Sequence, residues 1–113
     1  MVRIEPETKF HWKEDYLMSS GKEITIEMKL IKLPSIQKKE FPEDYKFSWS
    51  AFNRSNPEEK IRFDNHDRKE PHYHDDEKEE FFIWISLDKS LESFYQKVIT
   101  KFGNFEELIY KYY

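Results

Sequence analysis

The run Ile24-Thr25-Ile26-Glu27-Met28-Lys29-Leu30 alternates apolar and polar side chains with period two, as a strand with one buried face does. The phase breaks at Leu30-Ile31. A bulge there would return Ile31 and Leu33 to the core face before Pro34 ends regular pairing. Upstream, Phe10-His11-Trp12 alternates weakly and Ser19-Ser20-Gly21-Lys22 has turn chemistry, which predicts a hairpin. After a polar connection over 35–44, Tyr45, Phe47 and Trp49 share one face of a third long strand over 45–52. Residues 53–59 read as a turn and Ile61-Arg62-Phe63 as a short strand pairing back. Residues 66–80 hold no apolar run and are expected to be a loop or a distorted hairpin. Phe81-Phe82-Ile83-Trp84-Ile85 is continuous enough to predict a central strand.

The periodicity then changes. Ser86 can cap a helix in which Leu87, Leu91, Phe94, Val98 and Phe102 fall on one face, and Gly103 ends it. Asp88 in the first turn and Lys97 and Lys101 towards the end suit the macrodipole. Asn104-x-x-Glu107, followed by Leu108 and Ile109, predicts a short second helix. The expected fold is α+β: a mostly antiparallel sheet of about five strands, with a C-terminal amphipathic helix packed on one face and a short second helix. A chain of 113 residues fits a single domain spanning 1–113.

Composition modifies this picture in three ways. A mean hydropathy of -0.96 would suggest disorder, but aromatic residues make up 18% of the chain and can build a core. No stretch approaches the ~20 apolar residues of a membrane span, and the first residues lack a signal-like apolar region, so a cytoplasmic protein with no membrane partner is expected. With no cysteine, disulfides and thiolate chemistry are excluded, which leaves His, carboxylates, hydroxyls and Lys/Arg. The net charge of -4 is matched by the run Asp75-Asp76-Glu77-Lys78-Glu79-Glu80 alone, so the remaining residues are balanced. That balance disfavours tight nonspecific nucleic-acid binding but leaves room for local phosphate contacts. The acidic run itself reads as a solvated loop or as a surface for a basic partner.

The concentrated chemistry is Asp64-Asn65 followed by His72-x-His74. In an extended segment both imidazoles point to one face, which suits an acid and a base on either side of a phosphodiester, or a metal pair. Asp64 and Asn65, at the end of the preceding strand, could orient an imidazole. Asp75 and Asp76 are further candidate ligands. Arg62, Arg68 and Lys69 are the nearest cations and could hold a substrate phosphate; their rival role is pairing with Asp64, Asp67 or Glu70. The rival reading of the histidines is an exposed polar hairpin, and that of Asp64-Asn65 is a turn.

In this order the segments resemble the TumE family of toxin components from prokaryotic toxin–antitoxin operons. The resemblance covers about residues 12–102: the strand after Ser20-Gly21, Leu33-Pro34, Tyr45-Lys46-Phe47, Phe63-Asp64-Asn65, His72-x-His74, and Ser86-Leu87 opening the helix. Members often carry glycines in the loop where this chain has His66-Asp67-Arg68-Lys69-Glu70-Pro71. The resemblance implies a toxin whose partner is a separately encoded DNA-binding antitoxin, with Asp64, Asn65, His72 and His74 as its site. The leading expectation is a small ribonuclease that acts on RNA without a cofactor, His72 and His74 exchanging protons. The alternatives are a non-catalytic protein-binding module and a metal-dependent hydrolase using the same histidines with Asp64 or Asp75.

Overall fold

The computed structural model describes residues 8–34, 39, 41–65 and 69–112. Seven strands are present: β1 (Thr8–Met18), β2 (Glu23–Lys32), β3 (Tyr45–Asn53), β4 (Asn56–Asp64), β5 (His72–Asp75), β6 (Lys78–Phe81) and β7 (Phe105–Tyr112). They form one sheet in the order β6-β5-β4-β3-β2-β1-β7, and every pairing is antiparallel. Among the described residues a single helix, α1 (Leu87–Phe102), lies on one face, and a short 3-10 turn (Pro42–Asp44) precedes β3.

The period-two patterns decide which face is covered. Ile24, Ile26 and Met28 of β2, Phe47, Trp49 and Ala51 of β3, and Ile61 and Phe63 of β4 point to the helix and are buried with Phe94, Val98 and Phe102. Phe94 sits edge-on to both Trp49 and Phe63, with ring centroids 6.0 and 5.5 Å away. Ser86 accepts a hydrogen bond from the Lys89 amide at 3.1 Å, capping α1 as its sequence position predicts. Leu87 and Leu91 are only partly buried against the core, so the centre of the helix face is Phe94.

Several sequence expectations are corrected. Among the described residues the sheet has seven strands rather than about five, and there is one α-helix rather than two. The segment from Asn104 onward is β7, not a helix, because edge strand β1 offers it a ladder. Asn104 exchanges hydrogen bonds with Ser19, its amide to Ser19 Oγ and its carbonyl with the Ser19 amide, both at 2.7 Å. These direct the chain back along β1. Gly103, the helix C-cap, is at φ 88°, and a side chain there would collide with Ser19 Oγ, so glycine suits the turn that ends the helix.

The predicted central strand over 81–85 is also absent. Only Phe81 is in a strand, at the sheet edge, and the next residues leave the ladder with Phe82 and Trp84 packed on the core. Ile83 and Ile85 are 88% and 73% exposed, since only one side of this segment has anything to cover it. No bulge occurs at Leu30-Ile31, because pairing with both β1 and β3 continues unbroken through these residues. The turn predicted over 53–59 contracts to Arg54 and Ser55, with Asn53 Oδ1 accepting from the Ser55 amide at 2.9 Å.

The acidic run forms the tip of the β5–β6 hairpin and is held by internal partners. Lys101 of α1 reaches Asp75 at 2.6 Å and Asp76 at 3.0 Å, and Asp76 Oδ1 accepts from the Lys60 amide at 2.9 Å. The Lys60 amide and then Lys101 hold the Asp76 carboxyl below its ordinary pKa. Its contribution is therefore complete above the unfolded value and is lost as pH falls through the lower folded value. Amide exchange in β5–β6 should accelerate below about pH 4, and Asp76→Asn should flatten that dependence. An unchanged profile in the variant would remove Asp76 from the effect.

Candidate functional site

The β4–β5 register brings the predicted residues together. Asp64 lies opposite His72, and Arg62 lies opposite His74. Directly paired residues share a face, and the intervening pair Phe63–Tyr73 faces the helix, so all four project from the helix-free face. On β3, Ser48 pairs with Asp64 and Ser50 with Arg62, continuing a polar surface across the sheet. Glu79 on β6 lies opposite His74.

Although this face has no helix, Asp64 and His72 are 2% and 3% exposed. Neighbouring side chains enclose them: Arg62 Nε donates to Asp64 Oδ2 at 2.7 Å, and the Phe81 ring lies 5.6 Å from that of His72. His72 has partners at both nitrogens. Nδ1 is 2.9 Å from the Glu70 carbonyl oxygen, while Nε2 is 3.0 Å from Asp64 Oδ1 and 3.7 Å from Glu79 Oε1. His74 is half-buried, its ring 5.2 Å from that of His72. Burial lowers its pKa, aided by His72 and Arg62 and opposed by Asp64 and Glu79, so the ring is neutral at neutral pH. One donor atom each from Asp64, His72 and His74 lies within 4.8 Å of the others.

The other predicted residues have different positions. Asn65 is 1% exposed, and its amide is engaged with β3: Oδ1 accepts from the Phe47 amide at 3.0 Å and Nδ2 donates to the Tyr45 carbonyl at 2.9 Å. These bonds prolong the β3–β4 ladder where β4 ends and thereby fix Asp64. Asn65→Ala would leave a buried amide and carbonyl unpaired and should cost about 1–3 kcal/mol of stability, read from denaturant unfolding. An unaltered midpoint would show that these groups find other partners. Lys69 Nζ is bonded to Glu79 Oε1 at 3.0 Å, at the border of the cluster. Arg68 lies outside the described residues. Asp75 faces away from the histidines and is bound to Lys101.

Sequence reasoning missed Glu79. Its signal was present: a two-residue turn at Asp76-Glu77 pairs Asp75 with Lys78 and so sets Glu79 beside His74. No protein-family model, curated protein or solved structure matches the chain.

Proposed function

We propose that this chain is the toxin component of a prokaryotic toxin–antitoxin pair and acts as a small ribonuclease whose centre includes His72 and His74. The observation that carries this reading is the convergence of Asp64, His72, His74 and Arg62 on the helix-free face. Surface form supports a polymeric substrate. The apolar groove of Trp12, Tyr16, Ile26, Tyr95, Ile99 and Phe105 lies elsewhere, on the helix side of the sheet. The histidines instead border an open polar surface that includes Ser48, Ser50 and Arg62, across which an extended strand can lie. His74, the more exposed imidazole, is the one that meets substrate. A proton-donor role for His72 would require it to release Glu70 or Asp64.

The test is induced expression with and without the neighbouring gene. Growth should stop and cellular RNA shorten when the chain is expressed alone, and the antitoxin should relieve both. Unimpaired growth with intact RNA would sink the reading.

The antitoxin, a DNA-binding protein, would carry basic surface that complements this chain's acidic cleft of Glu58, Glu59, Asp76 and Glu77. Co-purification should weaken between low and high salt, because exposed charges are screened within about 10 Å at 0.1 M. The double variant Glu58→Lys, Glu77→Lys should weaken it further while leaving the Asp75–Lys101 clasp in place. Undiminished co-purification of that variant would exclude this cleft as the contact.

A further inference from the structure

We infer that Asp64, His72 and His74 form a binding site for one divalent transition-metal ion, a property that does not depend on the ribonuclease reading. The argument begins with the proton on His72. Its Nδ1 is 2.9 Å from a carbonyl oxygen, which can only accept, so Nδ1 carries a hydrogen. A neutral imidazole with Nδ1–H presents a lone pair at Nε2. That lone pair faces Asp64 Oδ1 at 3.0 Å, again an acceptor. Two acceptors so close need either a hydrogen or a metal ion between them.

The geometry favours the ion: Asp64 and His72 face one another from paired strands, both buried, with Glu79 close by. As ligands, Asp64 and His72 already stand at a separation that suits one ion, since donors bound at about 2.0–2.2 Å lie roughly 3 Å apart when adjacent. The third donor, His74, is within 4.8 Å of the other two. Tetrahedral donors at these bond lengths lie roughly 3.4 Å apart, so the half-exposed ring needs to close by at most about 1.4 Å.

Each buried ligand also has its outer atom held from behind. The Glu70 carbonyl accepts from His72 Nδ1, and Arg62 Nε donates to Asp64 Oδ2 at 2.7 Å. Such supports set the tautomer and orientation of metal ligands. Glu79 Oε1, 3.7 Å from His72 Nε2, supplies further negative charge at the rim. Two imidazoles and one carboxylate match zinc, cobalt or iron better than magnesium or calcium. Three protein ligands leave coordination positions open towards the helix-free face, as in catalytic rather than structural sites.

The test uses the whole chain, stripped with chelator and titrated with Zn²⁺ by calorimetry and with Co²⁺ by visible absorption. One equivalent should bind per chain, and the Co²⁺ spectrum should report nitrogen and oxygen ligands. His74→Ala, whose ring is half-exposed, should retain the wild-type melting temperature and lose at least tenfold in affinity, as should Asp64→Asn. Asp75→Asn, which removes a carboxylate from the other face, should bind like wild type. Failure of the wild type to bind either ion, or equal affinity in His74→Ala, would overturn the site and leave a proton between His72 and Asp64. RNA cleavage measured on the same samples separates the two proposals: stoichiometric metal without cleavage keeps the site and removes the ribonuclease, whereas chelator-resistant cleavage without metal does the reverse.

Discussion

His74→Ala is expected to reduce RNA cleavage by at least ~10²-fold, the lower bound for losing one positioned imidazole from a reaction centre, and to abolish growth arrest. The expectation holds whether the ring moves a proton or holds an ion, because each role requires the same side chain opposite Arg62 and beside His72. Its half-exposed position makes the variant informative, since little packing is lost and the melting temperature should stay within a few degrees. His72→Ala should lose activity as well, but with a stability cost of about 1–3 kcal/mol, because it leaves a buried Asp64 oxygen and the Glu70 carbonyl without this partner. Cleavage by His74→Ala within a few-fold of wild type would remove the histidine from the chemistry, and the ribonuclease reading would lose the observation that carries it.

Phe94→Ala is expected to be the most damaging change to the fold, destabilising it by about 3–5 kcal/mol. The ring is fully buried and contacts Trp49 of β3, Phe63 of β4 and Tyr95 of its own helix. Its removal opens a cavity between rigid aromatic rings that cannot collapse readily. Leu91→Ala should cost less, because Leu91 lies at the margin of the helix face and is only partly buried. Equal midpoints for the two variants in denaturant unfolding would show that the helix is anchored elsewhere. A folded but weakened Phe94→Ala should also loosen β4 and so disturb the cluster of Asp64, His72 and His74 on the opposite face.

The contrast between these two residues follows what local pattern can and cannot specify. The β2 alternation Ile24-Ile26-Met28 and the helical spacing of Phe94, Val98 and Phe102 were readable along the chain, because the side-chain period of each element is a local property. So were the Ser86 cap and the Ser19–Lys22 turn, which satisfy backbone groups within a few residues. The His72-x-His74 pair and its neighbour Asp64 were likewise recognisable from residue type and spacing. Where one segment had two plausible partners, local pattern failed. Asn104-x-x-Glu107 has helix-start chemistry, yet Ser19 and the open edge of β1 captured it as β7. Phe81-Phe82-Ile83-Trp84-Ile85 is apolar enough for an interior strand, yet β6 is the sheet edge and only alternate residues find cover. The site depended most on register. The pairing Asp64–His72 and Arg62–His74 brings together groups eight and twelve residues apart in the chain, and the next hairpin adds Glu79. Asn65, equally polar in sequence, is turned into the β3 ladder instead, because two backbone groups of β3 stand where its amide can bridge them.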